Sequence, residues 1–286
     1  MSRFLTPATL PEALEALARP GAKVLAGGTD LMIALRQARL EGAALPELLV
    51  DVTRLPELKR LELDGSACYL GAGLTFRYLE ESPEVNRRLP VLAQAASKVG
   101  CQQIRQTGTI GGNVANGSPA ADSLSALVAL DAVAEIASQE GVRHCPLPEL
   151  ITAPNRTTLA PGELILGYAV SPPPEPEGQV FLKVGRRHEV AVARLNLAAC
   201  LDRAMNDPRV VLGSCFPSPR RLTDVEELVK SGEPGPALWQ AAGDKAAGHF
   251  TDVCGWRSSA TYKVPAITRI TARALSLAWA GLEERS

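Results

Sequence analysis

Residues 171–178 read Ser-Pro-Pro-Pro-Glu-Pro-Glu-Gly, a proline-dense segment in the second half of the chain. Proline has no backbone N–H and fixes its own φ angle, so such a segment neither joins the interior of a sheet nor continues a helix. The segment therefore predicts a boundary between two folding units. We place the first unit at residues 1–172 and the second, smaller unit at residues 178–286.

Composition agrees with two globular units, since 286 residues suffice for about two domains with cores of their own. Hydrophobic residues make up 46% and charged residues 21%, which is ordinary globular usage. The chain carries 30 basic and 31 acidic side chains, and this balance gives no basic excess. Binding to nucleic acid or to an anionic membrane surface is therefore not expected.

Targeting and metal signals are absent from the sequence. No apolar run is long enough to span a membrane and the N-terminus lacks the apolar core of a secretion signal, so we expect a cytoplasmic protein. The six cysteines never come closer than 15 residues, which indicates neither a metal knuckle nor a disulfide framework. The histidines His144, His188 and His249 have no metal-ligand spacing.

The first unit begins with alternating helix and strand patterns. Thr9 followed by Glu12 is a capping pattern before an Ala/Leu-rich segment, and it predicts a helix from Leu10 to Arg19. A strand, two glycines and a helix are predicted over residues 23–40. Further predictions are a strand at 48–52, a hairpin at 58–71 that folds at Asp64-Gly65, and helices at 89–99 and 123–132.

The second unit has strand patterns first and helix patterns later. This order predicts a smaller α+β domain that ends in a long helix. The predicted strands are Val180–Val184, Leu195–Asp202 and Val210–Cys215, and the predicted helices are Asp224–Lys230 and Ser258–Ala280.

Two adjacent glycines follow the strand at residues 23–26, within the segment LAGGTDL. At Gly27 and Gly28 the backbone N–H groups can approach an anion because no Cβ is in the way. Thr29 adds a hydroxyl donor, and the following helix presents the positive end of its dipole. The segment is a candidate phosphate site, with a plain tight turn as the alternative. It matches neither G-x-G-x-x-G nor the P-loop pattern.

A second glycine loop is predicted within the polar passage from Gly100 to Asp122. Gly111 and Gly112 again expose backbone donors, here between Thr109 and Asn113. Two such loops in one unit suit a ligand with a pyrophosphate, because a diphosphate needs donors from more than one segment. A dinucleotide is the natural candidate.

Ser118 and Asp122 add polar groups where the next helix begins. The Asp122 carboxylate could accept a hydrogen bond from a ribose hydroxyl. Its alternative role is the N-cap of the helix, which the position alone favours.

Three segments together resemble the FAD-binding subunit of molybdenum hydroxylases, such as xanthine dehydrogenase and carbon monoxide dehydrogenase: AGGTDL, QIRQTGTIGGNVANGSPAAD and FLKVGRR. The resemblance covers nearly the whole chain. It implies an α+β fold, in which a two-part α/β FAD-binding domain of the PCMH type precedes a smaller C-terminal domain with an antiparallel sheet and helices.

The resemblance also implies which residues bind the FAD. Both glycine loops would hold the pyrophosphate through backbone amides, Asp122 would contact the flavin nucleotide, and Ile165 and Lys183 would lie at the flavin. None of the residues is implied to be catalytic. The implied cofactor-binding residues are Val24, Leu25, Ala26, Gly27, Gly28, Thr29, Asp30, Leu31, Thr109, Ile110, Gly111, Gly112, Asn113, Ser118, Asp122, Ile165 and Lys183.

Cofactors and partners follow from the same resemblance. Neither glycine loop contains a histidine and the nearest cysteine is Cys101, so the FAD is expected to be non-covalent. The chain lacks the closely spaced cysteines of an iron–sulfur site. The molybdenum cofactor and the 2Fe-2S clusters are therefore expected only on a large molybdopterin-binding subunit and a small iron–sulfur subunit. Electrons would pass from those clusters through FAD to NAD or another acceptor.

The sequence is also compatible with two other functions. A self-sufficient FAD-dependent oxidase or dehydrogenase would bind its own substrate, and a non-catalytic docking module would keep the fold without the flavin. No Ser-His-Asp, Cys-His or paired-carboxylate pattern stands out in the sequence, as suits an electron carrier. Three roles are open for Arg186 and Arg187: they could neutralise the charge of reduced flavin, contact a partner chain, or be solvated at a strand end.

Overall fold

The computed structural model describes residues 2–65, 68–187 and 190–284. Its N-terminal part is a parallel three-stranded sheet in the order β1-β3-β2, with helices in the connections. The helix predicted at 10–19 and the strand predicted at 23–26 are present with ends shifted by one or two residues. The elements are β1 Arg3–Leu5, α1 Leu10–Leu17, β2 Ala22–Leu25, α2 Leu31–Leu40 and β3 Leu48–Asp51.

An antiparallel five-stranded sheet follows, in the order β4-β5-β10-β6-β7, with six helices inserted between β5 and β6 among the described residues. The elements are β4 Leu61–Glu62, β5 Cys68–Gly71, α3 Phe76–Glu81, α4 Pro83–Arg88, α5 Pro90–Ser97, α6 Gln102–Thr107, α7 Ile110–Asn116, α8 Asp122–Ala129, β6 Val133–Ser138, β7 Gly141–Pro146, α9 Leu147–Leu150, β8 Ile151–Ala153, β9 Arg156–Thr157 and β10 Leu164–Val170.

Two predictions for this region need correction. The hairpin predicted at 58–71 is present only as the short pair β4–β5, because residues 56–59 form a 3-10 turn instead of a strand. Residues 66 and 67 of the predicted hairpin lie outside the described part. The polar passage 100–122 is not a loop throughout, since it contains α6 and α7. The second glycine pair therefore lies in the first turn of a helix that is capped by the Thr109 hydroxyl.

The C-terminal part is an antiparallel sheet in the order β11-β12-β13-β14, and its described residues form three helices. The three predicted strands and the two predicted helices are present with shifted ends. Helix α11 was not predicted, because its interior glycines weaken the helix signal in the sequence. At Gly243 a Cβ would overlap the carbonyl oxygen of Thr268, so this glycine lets two helices cross closely. The elements are β11 Gln179–Val184, β12 Leu195–Cys200, β13 Arg209–Gly213, β14 Arg220–Arg221, α10 Thr223–Ser231, α11 Pro236–Cys254 and α12 Ala260–Glu283.

Two hydrophobic cores meet at the β11–β14 sheet. One core extends over the N-terminal and middle sheets and includes Ala198 and Val211 from one face of β12 and β13. The other lies among α10, α11 and α12 and includes Leu197 and Leu212 from the opposite face. Alternation along the strands thus gives the sheet two buried faces. The division into domains 1–172 and 178–286 stays a prediction.

Candidate functional site

Both glycine segments line one cavity of about 380 Å³, within the usual size range of ligand pockets. Its walls are mostly apolar and come from the ends of β2, β3 and β5, from α7 and from β10. Seven residues implied by the resemblance lie in the wall: Val24, Ala26, Gly27, Thr109, Gly111, Gly112 and Ile165. The structure therefore brings the two segments and Ile165 together.

The first glycine segment carries unpaired backbone donors. Within the described part of the chain, no acceptor binds the N–H groups of residues 26–31, which run from the cavity wall into α2. Gly28 has a φ of +68°, a left-handed conformation that glycine adopts without strain. Asp30 precedes α2 without capping it through its side chain. Successive free N–H groups at a helix N-terminus form an anion-binding arrangement.

Gly27 lets an anion approach the backbone N–H groups, and it is also required for the packing of the first glycine segment. A Cβ at this position would overlap the carbonyl oxygen of Thr107 and would lie 2.9 Å from the Cα of Gly108. Both are backbone atoms, which cannot rotate out of the way as a side chain can. Gly27 therefore lets the first segment lie directly against the residues that lead into α7.

The second glycine segment differs from the expectation of free amides. The N–H groups of Ile110 and Gly111 donate to the carbonyls of Leu74 and Ala72, at 3.0 and 2.8 Å. The N–H of Gly112 donates to the Thr109 hydroxyl at 3.1 Å. Because these donors already have acceptors, this segment shapes the cavity wall, and the free donors are those of residues 26–31.

Asp122 is neither the N-cap of α8 nor a residue of the cavity wall. The cap position belongs to Ala121, and Asp122 is the first residue of the helix. Its carboxylate accepts hydrogen bonds from Lys183 Nζ at 2.5 Å and from Asn196 Nδ2 at 3.2 Å. Burial raises the pKa of the Asp122 carboxyl, whereas the charge and hydrogen bond of Lys183 and the hydrogen bond of Asn196 oppose that rise.

Lys183 lines a second, more polar cleft of about 680 Å³. Its ammonium also donates to the carbonyl oxygen of Lys98 at 2.8 Å, which fixes its position between two elements. Lys98, Arg105 and Arg187 lie in the same wall and make the cleft basic. Arg105 pairs with Glu80 at 2.8 Å.

The remaining implied residues lie behind or beside the cavity wall. Ile110 is fully buried, and the side chain of Asn113 accepts a hydrogen bond from Ser123 at 2.7 Å. The Ser118 hydroxyl accepts a weak hydrogen bond from the N–H of Ala120. The other implied residues of the first segment that do not line the cavity are Leu25, Gly28, Thr29, Asp30 and Leu31.

Sequence reasoning missed several wall residues. Gly73 lines the cavity, although Gly71-Ala-Gly73 gives only the signal of a strand end, and β5 does end at Gly71. Apolar side chains of this wall carry no signal of their own, since they resemble core residues in sequence. The missed apolar and hydroxyl-bearing wall residues include Val52, Leu58, Ala72, Thr75 and Leu159.

The three described ranges contain no group of three or more His, Cys, Asp or Glu side chains arranged to hold a metal ion. His188 lies outside those ranges. None of the helices in those ranges combines the length and apolarity of a membrane span.

Residues 1–171 match the family described as the FAD binding domain in molybdopterin dehydrogenase. The xanthine dehydrogenase FAD-binding subunit of Escherichia coli O157:H7 is 32% identical over 276 residues, which are 94% of this chain and 93% of that subunit. The carbon monoxide dehydrogenase medium chain of Hydrogenophaga pseudoflava is 30% identical over 97% of this chain and 96% of its own length.

The fold agrees with these sequence matches. A solved structure of carbon monoxide dehydrogenase from Hydrogenophaga pseudoflava, which lacks the Mo-pyranopterin moiety of the molybdenum cofactor, matches with a TM-score of 0.87. Identity there is 28%, and the match covers 98% of each chain. The chain therefore belongs to the family of FAD-binding subunits of molybdenum hydroxylases, whose FAD binding domain it carries at residues 1–171.

Proposed function

We propose that the chain is the FAD-carrying subunit of a molybdenum hydroxylase and binds FAD without a covalent bond. The observation that carries this proposal is the run of unpaired amides at residues 26–31, which starts in the wall of the apolar cavity. A pyrophosphate needs several converging donors, and these amides with the N-terminus of α2 provide them. The apolar wall suits a flat aromatic ring.

The residues of the chain then divide into binding and electrostatic roles. The segment 24–31 would bind the pyrophosphate, while Thr109–Asn113 and Ile165 would shape the wall beside it. Lys183, held by Asp122, would keep a positive charge at the flavin. Bound FAD supplies the redox chemistry, because it accepts electrons singly and releases them as a pair.

We place the electron donors and the substrate chemistry on other subunits. Relatives of this chain are named FAD-binding subunit or medium chain, which suits a place between a molybdopterin-binding large subunit and an iron–sulfur small subunit. Electrons would arrive from 2Fe-2S clusters and leave for NAD or another acceptor. The basic cleft at Lys183 and Arg105 would favour an anionic acceptor such as NAD.

Anaerobic reduction of the FAD-loaded isolated chain tests this subunit role. Aldehydes, N-heterocycles, alcohols, amines and 2-hydroxy acids are expected to leave the bound flavin oxidised, because the substrate site belongs to another subunit. Dithionite is the positive control and should reduce the flavin completely. Rapid reduction by one of the organic donors would contradict the proposal and favour a self-sufficient dehydrogenase.

A further inference from the structure

Three residues form one row across the C-terminal sheet. Lys183 on β11 is the register partner of Asn196 on β12, and Asn196 is the register partner of Gly213 on β13. The row lies on the sheet face that packs against α8. Asp122 and Ser125 stand three residues apart on that helix, which places them on the same side of it.

Hydrogen bonds join the row to the helix. The Ser125 hydroxyl donates to Asn196 Oδ1 at 2.6 Å, and Asn196 Nδ2 donates to Asp122 Oδ1 at 3.2 Å. Asn196 Nδ2 also lies 3.3 Å from the Ser214 hydroxyl. Lys183 Nζ then donates to the other carboxylate oxygen of Asp122. Asn196 and Ser125 are fully buried, so this end of the network is closed to water, whereas Lys183 at the other end lines the polar cleft.

Asp122 and Ser125 together fix which way the Asn196 amide faces. The carboxylate of Asp122 can only accept, so the NH₂ group faces it, and the Ser125 hydroxyl donates to the amide oxygen on the other side. A donor at this place stabilises the ionised carboxylate against the effect of burial. An ionised Asp122 in turn holds the ammonium of Lys183 at the polar cleft.

Gly213 makes room for the network. A Cβ on this residue would overlap both Asn196 Oδ1 and Ser125 Oγ. Its φ angle is not in the left-handed region, so backbone conformation does not require glycine here. The missing side chain thus leaves the space that the hydrogen bond between Ser125 and Asn196 occupies.

We infer that Asn196 is a positioning residue for the flavin site: acting through Asp122, and oriented by Ser125, it keeps the Lys183 ammonium paired and fixed at the cleft. The inference rests on the proposed function, since it assigns the ammonium to bound FAD. It goes beyond that function because Asn196 and Ser125 contact neither the cavity nor the cleft.

The test compares the affinities of the full-length chain for oxidised and for reduced FAD. In Asn196→Leu, Asp122 loses a donor and takes up a proton more readily, so Lys183 loses part of its counter-charge. Reduced FAD carries one more negative charge than oxidised FAD. The affinity for reduced FAD, relative to the affinity for oxidised FAD, should therefore rise by about tenfold, the effect of one hydrogen bond to a charged group. Ser125→Ala should shift the ratio in the same direction by less.

Val211→Ala is the matched control, because Val211 is equally buried on the same sheet face and has no polar partner in the network. It should lower stability without changing the ratio of the two affinities. Asn196→Asp should restore the wild-type ratio, since two facing carboxyl groups share one proton and recover the hydrogen bond.

The outcomes separate the inference from the proposed function. An unchanged ratio in Asn196→Leu, with FAD bound and the chain folded, would overturn the positioning role alone. If Asn196→Leu fails to fold, the affinity ratio of Ser125→Ala is the test instead, because this variant removes only one hydroxyl. An unchanged ratio in folded Ser125→Ala would then overturn the positioning role. A wild-type chain that binds neither form of FAD would instead overturn the proposed function.

Discussion

Substituting Gly27 by alanine is expected to weaken FAD binding by about 10- to 100-fold, the effect of the 1–3 kcal/mol that overpacking costs. The added methyl group would overlap the Thr107 carbonyl, and this backbone cannot yield without moving α7. The two glycine segments must then separate, and the free amides of residues 26–31 lose their place beside the cavity. Fluorescence titration of the chain with FAD measures the change in affinity.

Gly248→Ala is the control for this substitution. Gly248 lies inside α11, and a Cβ there would have no atom within 4 Å apart from its chain neighbours and the nearby backbone of its own helix. Alanine should leave FAD affinity unchanged and raise stability by up to about 1 kcal/mol, because glycine is the poorer helix former. Wild-type affinity in a folded Gly27→Ala chain would contradict the close approach of the two segments.

Lys183→Met is expected to lower the free energy of unfolding by about 3–5 kcal/mol, the range for removing one partner of a buried ion pair. Asp122 has only 5% of its side chain exposed and would keep only the Asn196 hydrogen bond that the structure shows. The double variant Lys183→Met/Asp122→Asn should recover most of the loss, because the amide carries no charge. Urea unfolding of the wild type, the two single variants Lys183→Met and Asp122→Asn, and the double variant completes the cycle.

The stability loss of Lys183→Met should depend on pH. Burial already raises the pKa of Asp122, and without the lysine nothing of opposite charge offsets that rise. A carboxyl whose pKa is higher in the folded than in the unfolded chain destabilises the fold as pH rises through the folded value. The stability loss of Lys183→Met relative to the wild type should therefore become smaller as pH is lowered towards the pKa of Asp in the unfolded chain. A stability loss that does not change with pH would show that the unpaired charge of Asp122 is not its cause.

Local signals predicted much of the fold. The capping pattern at Thr9, the strand before Gly27 and the helix after it are all present, since each depends on neighbours in sequence. Helix propensity gave the wrong prediction where tertiary packing overrides it. Helix α7 contains two glycines in its first turn, yet it forms because Thr109 caps it and Ile110 and Val114 are buried.

The candidate site could be predicted only in its local parts. Both glycine segments are continuous in sequence, so their pattern is visible without a structure. Asn196 has no such signal, because its partner Asp122 lies 74 residues away and the contact depends on the register of β12. The same holds for Gly213, which looks like an ordinary strand end until the Asn196 amide is seen beside it.

The visible absorption spectrum of the purified chain, followed by acid precipitation, tests the central claim most directly. The account predicts a flavin spectrum without iron–sulfur absorbance, and release of stoichiometric FAD into the acid supernatant, because the cofactor is bound without a covalent bond. A colourless chain that takes up no FAD on reconstitution would contradict it, and the two glycine segments would then be turns without a ligand.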